Sequence, residues 1–304
     1  MNTGELGLRK PRVIAWRGYY ELTKPKVVML ILFTALVGML LSTPGLVPWQ
    51  PLVFGLLGIG LASAGGAALN HVIDQRIDAV MERTKNRPLP NGDLDTPHAM
   101  GFAFGLAAVA IGVLGIFVNA LTAALTTFAF IGYALIYTIY LKRSTPQNIV
   151  WGGLAGAMPP LLGWTSVTGA WDGRPLLLVL LIFVWTPPHF WALAIRRRDE
   201  YAKAGIPMLP VTHGVAYTKL QILLYTLMLL MVSLMPFLVH MSGLLYLVGA
   251  VALGLGFIHH ALRLFRSEGD EYAMPTFGYS ILYLTAIFAF LLTDHYLRVL
   301  GWNL

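Results

Sequence analysis

Asn70, Asp74 and Asp78 recur at intervals of four residues, which on an α-helix sets one amide and two carboxylates along a single stripe over two turns. Like charges one turn apart repel each other, so the stripe calls for a cation. The chain has no cysteine and no clustered histidines beside the stripe. An all-oxygen donor set suits a hard ion, and Mg2+ in particular is held by one or two carboxylates while phosphate oxygens and water complete its shell. Arg83, Lys85 and Arg87 follow within a few residues of Asp78, and guanidinium groups bind phosphate oxygens bidentately. This pattern predicts a metal-diphosphate site. The same residues could also make a solvated helix end, with Asp78 paired to Arg76 or Arg83.

The elements that must position these groups lie in a bilayer. Of 304 residues 57% are hydrophobic and only 12% charged, with a mean hydropathy of +0.69, whereas soluble domains carry about 25% charged residues. Disorder, a collagen-like chain and an ordinary cytosolic enzyme are excluded together. A hydrocarbon core about 30 Å thick needs roughly 20 apolar residues per helix. Such stretches run near 27–46, 51–70, 97–117, 119–141, 148–168, 175–195, 215–239, 243–262 and 277–297. The expectation is an all-α polytopic membrane protein with nine transmembrane helices, residues 27–304 forming one domain.

Residues 1–26 contain Arg9, Lys10, Arg12, Arg17, Lys24 and Lys26 without a continuous apolar core or a small-residue cleavage site, so they are expected to be a basic cytoplasmic tail and not a cleaved signal. With the N-terminus cytoplasmic, every Lys and Arg except Arg174 and Arg298 falls on the cytoplasmic side. This is the asymmetry of the positive-inside rule, and it places the polar loops with the aspartates on that side. The net charge of +7 is then a matter of orientation and lipid contact, not of nucleic acid.

A second polar stretch follows the sixth span: Arg196, Arg197, Arg198, Asp199, Glu200, Tyr201 and Lys203, then a loop with Pro207 and Pro210. It repeats the order of the first stretch, an acidic cluster, basic residues and a proline loop before the next helix. Facing clusters in internal repeats can clamp one ligand. Membrane anchoring by Arg196 to Arg198 would leave the same pattern.

The run Asn-x-x-x-Asp-x-x-x-Asp, followed by Met81, Arg83, Thr84 and Arg87-Pro88, resembles the aspartate-rich signature of the UbiA-type intramembrane prenyltransferases, which have nine transmembrane helices. Within that family the chain resembles the heme-farnesylating branch. The closer match is carried by Tyr137 to Asn148, Gly152 to Pro160, Thr186 to Ala194 (Thr-Pro-Pro-His-Phe-Trp-Ala-Leu-Ala) and Asp199 to Pro210, and it extends from about Thr23 to the last span. One departure is clear. Quinone-forming relatives usually carry Asp-x-x-x-Asp in the second cluster, and here Lys203 stands four residues after Asp199.

The resemblance implies a bacterial inner-membrane enzyme that transfers a farnesyl group from farnesyl diphosphate to a vinyl group of heme B. Its implied cofactor is Mg2+, held by Asn70, Asp74 and Asp78, with Asp199 a candidate for a second ion. Asp74, Asp78 and Lys142 would carry the catalytic charge, and Arg83, Arg87, Lys142 and Lys203 would neutralise phosphate oxygens. Tyr137 and Tyr140 are candidates to shield a carbocation, Tyr140 equally an interfacial anchor. His189, inside the sixth span after Pro187-Pro188, would ligate heme iron or orient a propionate, or serve only as an interhelical hydrogen-bond donor. Implied partners are membrane lipid and a possible complex with heme A synthase or the oxidase assembly machinery. An ion-coupled transporter, a non-catalytic heme-binding assembly protein and a prenyltransferase for quinone precursors are the alternatives.

Overall fold

The computed structural model describes residues 16–301 and is helical throughout, with no strand among them. Arg9, Lys10 and Arg12 lie outside the described residues. The stretch expected as a tail enters the bundle before it ends: α1 (Trp16–Leu22) packs against the helix that carries the aspartates, and Leu22 is fully buried. Between α1 and α2 (Pro25–Leu41) the axis bends by 47°. The hinge is Lys24, held in the left-handed region at φ 48° and ψ 61°, which costs a residue with a Cβ roughly 1–2 kcal/mol. Pro25 then opens α2, where its missing N–H is harmless.

The chain continues through α3 (Pro51–Val80), α4 (Thr96–Phe117) and α5 (Ala120–Ser144), then α6 (Asn148–Ala157) and α7 (Pro159–Thr168). After these come α8 (Arg174–Arg196), the short α9 (Arg198–Lys203) and α10 (Leu209–Thr212), and finally α11 (Gly214–Leu238), α12 (Leu244–Arg266) and α13 (Ala273–Val299). Seven of the described helices are long and apolar enough to cross a membrane, and α1 with α2 makes an eighth if that bent pair is one span. The chain is therefore a polytopic membrane protein. The stretch 148–168 is divided between two ten-residue helices because Pro159 and Pro160 supply no N–H to continue the ladder. Each half is shorter than a bilayer.

Small residues let the helices approach. A Cβ on Gly65 of α3 would come to 2.8 Å from the Ala103 carbonyl of α4, and on α2 and α7 Gly38 and Gly163 face the backbones of Pro160 and Ala35 too closely for any side chain. This is the small-residue packing that drives helix association in lipid. Replacing Gly163 by Val must separate α2 from α7. The expected result is a loss of about 1–3 kcal/mol, read as a lower melting temperature in detergent.

α8 is the central element and packs on α6, α11 and α13. It runs unbroken through Pro187 and Pro188. Lys219, grouped by sequence with the orientation charges, is buried and donates to the carbonyls of Ser267 and Gly269, each at 2.7 Å, which ties down the turn between α12 and α13. At the other end of α12, buried Asp294 accepts from the N–H groups of Gly243 (2.6 Å) and Tyr246 (3.2 Å), satisfying donors that a helix start leaves open. Large side chains such as Ile116, Val248 and Leu282 remain on the outer surface, where lipid is the solvent.

Candidate active site

The C-terminal half of α3 carries Asn70, Asp74 and Asp78, which are only 6%, 1% and 3% exposed. That burial removes the solvated-helix-end alternative. A buried carboxylate must find positive charge or hydrogen-bond donors, and here each polar group of the stripe meets a cation from a different part of the chain.

Lys24, at the α1–α2 hinge, donates to Asn70 Oδ1 at 2.5 Å. The Asn70 amide in turn donates to Asp74 Oδ2 at 2.7 Å and, more distantly, to Thr138 Oγ1 at 3.4 Å. Lys142, at the end of α5, donates to the same Asp74 oxygen at 2.5 Å. Arg87, in the loop after α3, donates to Asp78 Oδ2 at 2.7 Å, and Thr84 fixes that loop by donating to the Asp78 carbonyl at 2.9 Å. Asp78 does not pair with Arg76 or Arg83 as the simplest local model would have it. The partner is Arg87, because the loop turns back on the helix end.

Among the described residues Asp74 Oδ1 accepts no hydrogen bond although it is buried, and an Arg143 nitrogen lies 3.8 Å from it. Next to it His71 is 2% exposed and neither ring nitrogen has a partner. Among the described residues no group of three or more His, Cys, Asp or Glu side chains is arranged as a metal cage. What α3 offers is an amide oxygen and two carboxylates, one with an open oxygen. This open set of hard donors suits Mg2+, which keeps waters and shares its shell with phosphate.

The second polar stretch does come back to the first, through residues other than those singled out by sequence. Arg83 lies close enough to Arg87, Arg197, Tyr201 and Asp78 to feel their charges. Loss of hydration, followed by the neighbouring Arg87 and Arg197, lowers its guanidinium from the ordinary value, whereas burial raises the Tyr201 phenol. Arginine remains charged nonetheless. Asp199 is largely exposed and, among the described residues, meets only Arg198, at 3.4 Å; Lys203 is exposed and has no polar partner among them. The structure brings neither into contact with the α3 stripe.

Tyr137 lies on α5 within electrostatic reach of Asp74 and Tyr201 and stacks on Tyr133 at 5.8 Å. Gly152 of α6 packs directly against the Tyr137 ring, which holds that ring beside the cluster. Tyr140 is 67% exposed. His189 is buried against α13, its Nδ1 2.6 Å from Ser280 Oγ, and has no contact with the aspartates among the described residues.

Lys24, Thr138, Arg197 and Tyr201 join the candidate site although sequence reasoning gave them no role in it. Lys24 was hidden among the basic residues of the tail, and only the proline directly after it hinted at a hinge.

A helical membrane bundle with a buried aspartate stripe answered by lysine and arginine defines a class, and comparison with known proteins identifies it. The chain belongs to the UbiA prenyltransferase family, whose model matches residues 31–292. It is 72% identical over 300 residues to the protoheme IX farnesyltransferase of Thioalkalivibrio sulfidiphilus, covering 99% of each chain. It is 60% identical over 286 residues to the protoheme IX farnesyltransferase of Marinobacter nauticus, covering 94% of this chain and 95% of that one. Among solved structures, a digeranylgeranylglyceryl phosphate synthase superposes with a TM-score of 0.79 at 17% identity, covering 92% of this chain and 98% of that chain. A UbiA homologue from Archaeoglobus fulgidus bound to DMAPP and Mg2+ superposes with a TM-score of 0.61 at 18% identity, covering 90% and 98% respectively. The structural matches establish the fold; the sequence matches place the chain among the prenyltransferases.

Proposed function

We propose that this chain transfers the farnesyl group of farnesyl diphosphate to a vinyl group of heme B. The observation that carries this reading is the buried stripe of α3, in which Asn70, Asp74 and Asp78 are held by Lys24, Lys142 and Arg87, together with 72% identity to a farnesyltransferase of protoheme IX. The allylic carbon–oxygen bond breaks with its electron pair going to diphosphate. The terminal vinyl carbon forms the new bond to farnesyl carbon 1, and water adds to the neighbouring carbon and releases a proton, giving a hydroxyethylfarnesyl side chain.

Negative charge grows on the leaving diphosphate, so the protein's task is electrostatic. Asn70, Asp74 and Asp78 are the residues that would hold Mg2+, which supplies Lewis-acid stabilisation of the phosphate oxygens when bound. Lys24, Lys142 and Arg87, which answer these groups in the present arrangement, are on hand to meet phosphate oxygens, with Arg83 and Arg197 reaching the same place from the two loops. The apolar bundle excludes water from the developing allylic cation, and the Tyr133 and Tyr137 rings offer their faces to it. No nucleophilic side chain is needed. His189 is the candidate for contact with heme iron.

We further infer nine crossings with a cytoplasmic N-terminus, α6 and α7 together making the fifth. In support, Arg174 and Arg298, which that topology leaves outside, line one cavity of about 420 Å3 with His240 and His295, built from the helix ends opposite those that carry the aspartates. The inner membrane is the corresponding location.

The test is product analysis. Purified protein with heme B, farnesyl diphosphate and Mg2+ should yield a porphyrin heavier by one farnesyl group and one hydroxyl group in mass spectrometry; a quinone precursor prenylated in its place would overturn the heme assignment. Removing the divalent ion with EDTA should abolish turnover, and excess Mg2+ should restore it. Turnover that persists in EDTA would refute the metal role of the stripe.

A further inference from the structure

Ser280 on α13 is joined to α8 twice. Its carbonyl accepts from Trp185 Nε1 at 2.8 Å, and its Oγ lies 2.6 Å from His189 Nδ1. The same hydroxyl donates to the Phe277 carbonyl one turn back, also at 2.6 Å. A serine hydroxyl has one proton, and that proton is committed to Phe277. Toward His189 the oxygen must therefore accept, so Nδ1 carries the hydrogen. In a neutral imidazole the other nitrogen is then a lone pair.

Nε2 makes no hydrogen bond to any described residue. The ring plane is also fixed, because His189 lies between Trp185 (4.2 Å between centroids, 21° between planes) and Phe277 (4.5 Å, 27°), with Phe190 against it edge-on. The histidine is 8% exposed. A ring nitrogen left without a protein donor, on a side chain otherwise packed in the bundle, is open to a ligand. A ring clamped on both faces, with one nitrogen bonded and the other left open, is the arrangement of a metal-ligating histidine with its supporting hydrogen bond in place.

We propose that Ser280 is a positioning residue: its hydroxyl fixes His189 as the Nδ1–H tautomer and so presents the Nε2 lone pair to the iron of the porphyrin acceptor. The proposal rests on the reading of heme B as substrate. If the hydroxyl instead donated to Nδ1, hydrogen would sit on Nε2 and the ring could not ligate. The Phe277 carbonyl prevents this by taking the proton. A hydrogen-bonded Nδ1–H also makes the opposite nitrogen a stronger donor, so the effect of Ser280 should be visible in the strength of the iron–imidazole bond.

The experiment is resonance Raman spectroscopy and heme titration of the full-length protein in detergent with ferrous heme B. The parent should show an iron–imidazole stretching band, and His189→Ala should lose it. Ser280→Ala should move the band to lower frequency and weaken heme binding about 10-fold, the low end of the range for losing a supporting hydrogen bond. Ser280→Thr, which keeps the hydroxyl, should restore both. Ser280→Cys keeps the volume and weakens the acceptor; it should give an intermediate shift and serves if the alanine variant does not fold. A band that survives in His189→Ala overturns the ligand reading itself. A band absent in His189→Ala but unmoved in Ser280→Ala, with parental affinity, overturns only the role of Ser280.

Discussion

Asp74→Asn should reduce farnesyl transfer by at least about 100-fold, the scale of losing one preorganised electrostatic group at a reacting centre. Asp74 Oδ2 already receives two donors, from Asn70 and Lys142, while Oδ1 is buried and accepts no hydrogen bond. An asparagine at this position has no charge and must turn an N–H group toward either the metal side or Lys142. Either choice damages the site. Removing one partner of a buried pair also leaves the other uncompensated, so Lys142, with a side chain 15% exposed, should lower the melting temperature. The double variant Asp74→Asn/Lys142→Met separates the two consequences. It should recover much of the stability and none of the activity, measured by melting in detergent and by product mass spectrometry. Full activity in the single variant would remove Asp74 from the chemistry.

Arg87→Ala should be damaging for stability and activity together. The Asp78 side chain is 5% exposed, and among the described residues its one cation within salt-bridge distance is Arg87. Breaking a buried pair from one side costs about 3–5 kcal/mol. The same guanidinium is one of the groups placed to meet diphosphate, so whatever protein folds should bind farnesyl diphosphate poorly, with KM raised about tenfold or more, a loss of at least 1.4 kcal/mol of binding. Arg87→Lys restores the charge without the planar fork. It should recover most of the melting temperature and only part of the affinity. An alanine variant that melts with the parent would show that Asp78 finds another cation.

How far the site was legible follows from how far each contact reaches along the chain. Asn70, Asp74 and Asp78 share a stripe because four residues make about one helical turn, a local property that spacing alone reveals. Lys24 is 46 residues from Asn70, Lys142 is 68 from Asp74, and Ser280 is 91 from His189. No periodicity carries such pairings. The Lys and Arg residues were harder still to sort, because a cytoplasmic N-terminus, as expected from sequence, would by itself account for where nearly all of them fall. Lys142 and Arg87 enter the ion cluster, Lys219 ties down a turn, and Lys203 stays in the open, yet in sequence the four look alike.

The spans show the same division. Hydropathy averaged over about 20 residues found the apolar stretches, and helices occupy all of them. It started the first span only after the hinge at Lys24 and passed smoothly over the break at Met158–Pro159, where backbone conformation and missing N–H groups decide what is continuous. The second cluster was noticed by its echo of the first, but its contribution comes from Arg197 and Tyr201 and not from Asp199 or Lys203, since a short helix shows only one of its faces to the opposing loop.

The sequence by itself determined that this is a helical membrane protein, that its scarce carboxylates gather on one stripe, and which family's signature they form. Those are matters of composition and of neighbours within a turn or two. Only the tertiary structure decided which cation answers which oxygen, that Lys24 of the tail meets Asn70, and that a serine on the final helix lies against Nδ1 of His189. The physical reason is that charge pairing and tautomer depend on distances of a few ångströms between elements far apart in the chain, and packing in the bundle sets those distances.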